Sequence, residues 1–254
     1  MPTRDEYAEG IPSWIDLATP DLDGAKNFYG ELFGWEFEDT DSGMGPYTMV
    51  SKKGLVAAGI GIAPEGEPSV WSTYFAVDDA DATSARIEKA GGSLMMECLD
   101  VPGGRLGFAT DPTGAAFGIW QAGEHFGAAI VNEHGSLNWN ELTSDDLESA
   151  LPFYEKVFGH AIRKTQNPTG EYVLLSVNDR EIAGAMAPPV PNIPNNWGVY
   201  FAVDDTQKAI DAALAKGGSK TYGPMEVPDV GVFAGLQDPF GAYFTVIQLA
   251  SPVD

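Results

Sequence analysis

Cysteine is nearly absent: Cys98 stands alone among 254 residues. That excludes an internal disulfide and a cysteine-built metal site, and leaves Cys98 as a small apolar core candidate. Histidine is scarce too, at three residues, His125, His134 and His160. Positive charge is short, with 14 Lys plus Arg against 37 Asp plus Glu and a formal net charge of −23. Such a field repels nucleic acid and anionic membrane surfaces, so neither is expected as a partner. Apolar runs stop well short of the roughly 20 residues of a membrane span. The opening stretch MPTRDEYAEGIPSW has neither the basic start nor the apolar centre of a secretory signal. The expectation is a cytoplasmic protein. What is present is a globular composition, 44% hydrophobic, with enough chain for one large domain or two ordinary ones.

The chain repeats itself once. FYGELFGW at 28–35 returns as FYEKVFGH at 153–160, and YFAVDD at 74–79 returns unchanged at 200–205. DPTGAAFGIWQ at 111–121 returns as DPFGAYFTVIQ at 238–248, and PSWIDL at 12–17 corresponds to LNWNEL at 137–142. Markers in the same order at offsets of 125 to 127 indicate a duplicated domain with short loop indels. We place the modules at 1–124 and 125–254, joined through QAGEHFGAAIVNEHG, whose AAIV suits a structured connection.

Within each half, apolar spacing and Asp starts predict two helices, in the stretches 20–34 and 78–92, then near 145–158 and 205–216. Short strands fill the rest, so each half reads as two βαβββ units of an α+β fold. No Gly-rich phosphate loop follows a strand, and GGRLG at 103–107 has no Lys-Ser/Thr partner. No Ser-His-Asp arrangement is evident. His160 sits at a helix end, where the dipole favours a cation, and suits a structural role. His125 and His134 fall in the connection, within reach of a cup mouth but suited to a surface or hinge role. The proline-rich segments 63–71 and 188–197 are candidates for a binding-site rim.

This duplication, with FYxxxFGW on the first helix, YFAVDD before the second and DPxG before the last strand, resembles the vicinal oxygen chelate superfamily. That group includes glyoxalase I, bleomycin-resistance proteins and extradiol dioxygenases; the likeness is closest to two-module actinobacterial glyoxalase-like proteins. The resemblance implies two tandem modules whose curved mixed sheets form cups. In metal-using members it implies ligands on the first, fourth, fifth and eighth strands. Those columns fall here on Trp14 and Trp139, on Ala58–Ile60 and Ala183–Ala185, on Ser72 and Gly198, and on Gly118 and Thr245. Carboxylate and imidazole are missing from all of them. No metal ligand and no cofactor are therefore expected, with a divalent metal on atypical ligands as an alternative.

Strand alternation says which residues share the cup face. Trp14, Asp16, Ser72, Tyr74 and Trp120 share it in the first module. Asn138 and Asn140 add polarity near the second cup, whose face carries Trp139, Glu141, Tyr200, Tyr243 and Thr245. Aromatic walls around one carboxylate suit a hydrophobic or aromatic small molecule; plain internal packing is the competing reading. Three functions remain open: metal-independent binding or sequestration of such a ligand, a metal-free isomerase, lyase or cyclase using Glu141 or Asp16 as acid/base, or a metal-dependent glyoxalase or dioxygenase. The tandem arrangement suits either a monomer, as a built-in pseudo-dimer, or a homodimer.

Overall fold

Each helix starts on an aspartate. Asp21, Asp79, Asp146 and Asp205 accept the backbone N–H of the third residue on, at 2.9–3.0 Å, which satisfies a donor the helix cannot. Gly34 and Gly159, at φ of 66° and 71°, end the first helix of each module, in a left-handed conformation that glycine adopts without strain. The computed structural model describes residues 3–167 and 170–251.

The first module runs β1 (Pro12–Thr19), α1 (Leu22–Phe33), β2 (Glu36–Asp41), β3 (Pro46–Lys52) and β4 (Leu55–Ile62). It continues with β5 (Val70–Ala76), α2 (Ala80–Lys89), β6 (Ser93–Val101), β7 (Gly104–Thr110) and β8 (Ala116–Ala122). The second runs β9 (Leu137–Thr143), α3 (Leu147–Phe158), β10 (Ala161–Asn167), β11 (Gly170–Val177) and β12 (Arg180–Met186). It closes with β13 (Asn196–Ala202), α4 (Thr206–Ala215), β14 (Ser219–Val227), β15 (Gly231–Gln237) and β16 (Tyr243–Leu249).

Each module forms one eight-stranded mixed sheet, ordered β2-β3-β4-β1-β5-β8-β7-β6 and β10-β11-β12-β9-β13-β16-β15-β14. The central strands β1 and β5 are antiparallel, with Trp14 opposite Tyr74 and Asp16 opposite Ser72. β9 and β13 repeat this, with Trp139 opposite Tyr200 and Glu141 opposite Gly198. Alternation therefore sends the Trp and carboxylate to one face and Ile15, Leu17 and Leu142, all fully buried, to the other.

The helix-side cores are shared between modules. Phe28 and Phe33 of α1 pack on Phe244 and Phe201 of the second sheet, while Phe75 and Phe117 of the first sheet pack on Phe158 of α3. The repeated DPxG phrase is a latch across this interface. Asp111 Oδ1 accepts from the N–H groups of Thr113 and Ala115, and its Oδ2 accepts the Tyr154 hydroxyl at 3.0 Å. Asp238 does the same with Phe240, Ala242 and, at 2.9 Å, the Tyr29 hydroxyl. Each tyrosine in turn accepts an indole N–H of its own module, from Trp71 and Trp197.

His160 is structural, as the sequence suggests, but not as a cation. It is 1% exposed, its Nε2 meets the Gly10 carbonyl at 2.7 Å, and burial lowers its pKa to about 4. It is a neutral core imidazole, because desolvation outweighs any helix-dipole benefit.

Candidate ligand-binding cups

On the concave face of each sheet, one carboxylate sits among tyrosines. In the first cup the Tyr74 and Tyr47 hydroxyls donate to Asp16 Oδ2 at 2.9 and 3.3 Å, and the Trp14 indole N–H donates to Tyr47 at 3.2 Å. In the second, the Tyr200 hydroxyl donates to Glu141 Oε1 at 2.6 Å and the Tyr172 hydroxyl to Oε2 at 2.7 Å. Trp139 donates to Tyr172 at 3.1 Å. Burial is the largest influence on both carboxyls: Asp16 rises to about 6 and Glu141 rises also, against the hydroxyl bonds, which favour the charged form.

Tyr47 and Tyr172 escaped the sequence reading, although they lie 125 residues apart, the same spacing as the helix motifs. They reach the carboxylates because the facing positions are glycine. A Cβ at Gly59 would overlap the Tyr47 hydroxyl, and one at Gly184 the Tyr172 hydroxyl. A Cβ at Gly118 would likewise run into the Tyr74 ring. The columns that the family resemblance marks for metal ligands are thus the space these tyrosines fill. Both Glu141 oxygens already accept hydroxyls, and among the described residues no three His, Cys, Asp or Glu side chains converge. The donors here do not fit a divalent ion, which needs several oxygen or nitrogen ligands at one point.

The two cups differ in filling. In the first, Trp14, Tyr74 and Trp120 are 4%, 4% and 5% exposed. They pack as core, which is the competing reading of internal packing. His125 from the connection stands edge-on to Trp14, with centroids 4.5 Å apart. Its carbonyl accepts the Trp120 indole N–H at 2.8 Å. Burial lowers the His125 pKa to about 4, so this imidazole is part of the stopper. Ser72 lies half-buried beside Asp16.

The second cup is open. Trp120 pairs with Ala76, and its register equivalent Ile247 pairs with Ala202; the smaller side chain leaves room. A cavity of about 1280 Å³ results, with Trp139, Glu141, Tyr172, Tyr200, Phe233 and Ile247 in its wall. Asn138 lines it and donates to Asn132. Thr245 is buried and shares a 2.7 Å hydrogen bond with Tyr222, whose ring lies over Gly235. Tyr243, placed on the cup face by alternation, is 64% exposed at the strand's start and lines no part of this cavity. The Asn140 side chain points through the sheet, donating to Thr73 of the first module at 2.7 Å.

The N-terminal segment roofs the cavity. The Arg4 N–H donates to the Ala129 carbonyl, the Tyr7 hydroxyl donates to the Ala128 carbonyl at 2.6 Å, and Thr3 bridges to Ile130. Arg4, Glu6 and Tyr7 all face the cavity. The rim comes from Asp179 and from Pro228, Asp229 and Val230. Segment 188–197, expected at the rim, does not line this cavity; Asn195 ties it instead to the Thr113 carbonyl and to Asp145.

Two paired eight-stranded sheets, each with a cup lined at its central strands, define a tandem vicinal-oxygen-chelate protein. The chain belongs to the Glyoxalase/Bleomycin resistance protein/Dioxygenase superfamily, whose family model matches residues 11–119 and 136–246. It is 46% identical over 258 residues to "Putative glyoxylase CFP32" of Mycobacterium tuberculosis, covering 98% of this chain and 99% of that protein. It is 37% identical over 261 residues to the "Anthracycline biosynthesis protein DnrV" of Streptomyces peucetius, covering 96% of this chain and 94% of that protein. Among solved structures, the 2,3-dioxygenase LapB of Pseudomonas sp. KL28 superposes with a TM-score of 0.70 at 14% identity, covering 98% and 96% of the two chains. The Mn(II)-bound glyoxalase of Novosphingobium aromaticivorans gives 0.65 at 16%, covering 97% and 87%. These two likenesses carry the fold alone.

Proposed function

We propose that this protein is a metal-independent small-molecule protein that takes a hydrophobic or aromatic ligand in its second cup. The observation that carries this is the asymmetry between equivalent cups. One is closed by Trp120 and His125, and the other keeps an aromatic cavity with a carboxylate in its wall. Apolar walls with few placed polar groups are what such ligands require. The relative named for anthracycline biosynthesis agrees with a polycyclic aromatic, and sequestration of such a compound is a use this site serves without further chemistry.

Ile247→Trp restores the first cup's filler to the second. It is expected to lower affinity for a neutral polycyclic probe such as 1,8-dihydroxyanthraquinone by at least about tenfold, or about 1.4 kcal/mol, in calorimetric titration. Dialysis against EDTA is expected to leave binding unchanged. Affinity that survives the tryptophan, or that needs a stoichiometric metal, overturns the reading.

One observation favours a second reading. Glu141 is a buried carboxyl with a raised pKa in a cavity wall, which suits proton transfer in an isomerase, lyase or cyclase. Glu141→Gln is then expected to abolish turnover of the ligand while sparing neutral-ligand affinity; no turnover by the wild type leaves binding as the whole function.

A further inference from the structure

The walls of the second cup are rings, and its one deep charge is negative. Trp139, Tyr172, Tyr200 and Phe233 line it around Glu141. The carboxylate is held by two tyrosine hydroxyls; among the described residues no lysine, arginine or histidine forms an ion pair with it. Each carboxylate oxygen has two acceptor sites, so both can take a further donor from a ligand. Around the mouth, Glu6, Asp179, Glu181 and Asp229 outnumber Arg4 and Arg180. Of these, Glu181 is paired with Arg163. A net charge of −23 draws cations toward the opening.

A cavity that combines ring faces with a carboxylate in no ion pair is built to hold a cation. The ring quadrupoles attract it, and the carboxylate gives it a charge-assisted hydrogen bond. We propose that the second cup selects aromatic ligands bearing a protonated amine, with the amine at Glu141 and the ring system along Trp139 and Phe233. This rests on the reading of that cup as the ligand site and adds the ligand's charge. The first cup offers no equivalent, since Trp120 and His125 occupy it.

The test uses two probes of equal shape, 1-pyrenemethylamine and 1-pyrenemethanol, titrated by fluorescence against the full-length protein at pH 7 and about 0.15 M salt, where the long-range field is screened. The amine is expected to bind at least about tenfold tighter than the alcohol. Glu141→Gln is expected to bring the two within about threefold of each other by weakening the amine alone. Asp16→Asn removes the same unit of net charge in the first cup and is expected to leave the preference intact.

Equal affinities in the wild type overturn amine selection and leave the aromatic site standing. A preference that survives Glu141→Gln, or that Asp16→Asn removes, also overturns it by placing the amine elsewhere. If neither probe binds, the aromatic cup itself fails, and amine selection with it. The wild-type comparison needs no variant to fold, and thermal melts establish that each variant does.

Discussion

Asp16 and Glu141 differ by one methylene and sit at equivalent places, yet only the cup of Asp16 is closed by Trp120 and His125. Between about pH 4 and pH 6 the folded protein keeps a proton on Asp16 that the unfolded chain releases. Stability therefore falls as pH rises through that window, and the full cost is present above it. The shift from 3.8 to about 6 corresponds to at most about 3 kcal/mol. Asp16→Asn keeps an acceptor for Tyr47 and Tyr74 without the charge. It is expected to raise the urea midpoint at pH 7.5 and to have little effect below about pH 3, where aspartate is protonated in both states. A gain of the same size at both pH values would show that packing, not ionisation, is responsible. His125 and His160 act with the opposite sign. Both are held near 4, so the folded protein loses stability as pH falls from 6.5 toward 4, and Asp16→Asn is expected to leave that acid limb in place.

Among the elements, the turn before the last strand of each module carries more than its local shape. Asp111 and Asp238 pin their own turns through Oδ1 and the other module's first helix through Oδ2. Tyr154→Phe keeps the ring stacking but strips Asp111 Oδ2 of its donor and the Trp197 indole N–H of its acceptor. Unsatisfied buried groups of this kind cost about 1–3 kcal/mol each. The variant is expected to lose about 2–4 kcal/mol in urea unfolding, with no loss of ligand affinity, because the latch lies on the helix side of the sheets. An unchanged midpoint would mean that water reaches both groups.

The helices, the succession of strands along each half and the repeat were legible because periodicity, caps and turn phrases are local signals. The facing of Trp14, Asp16, Trp139 and Glu141 was legible too, since it needs only alternation from an aligned strand. Tyr47 and Tyr172 were not, because their reach depends on Gly59 and Gly184 on neighbouring strands. The closure of the first cup was also hidden. It follows from the path of the connection, which carries His125 back over Trp14, and no local pattern encodes that path. The substitution of Trp120 by Ile247 stood in the repeated phrase, but its meaning needed the register of β8 and β16.

For the molecule as a whole, the repeat is not two beads on a string. α1 belongs to the first module by sequence and buries Phe28 and Phe33 against Phe244 and Phe201 of the second. Phe75 and Phe117 of the first module return the arrangement by packing on Phe158. Cutting at 124/125 would expose both aromatic faces, and each large apolar side chain left exposed forfeits about 1.5–3 kcal/mol. That loss is of the same order as a marginal domain stability of about 5–15 kcal/mol. Residues 1–124 and 125–254 expressed separately are therefore expected to show no cooperative melt, and their mixture to recover one. The joined chain is expected to unfold in a single transition and to scatter light as a monomer of 27.0 kDa, since the aromatic faces of the two modules already cover one another. Two resolved transitions in the intact protein, or a stable isolated half, would show that the modules are separable and that the shared aromatic core adds little to either.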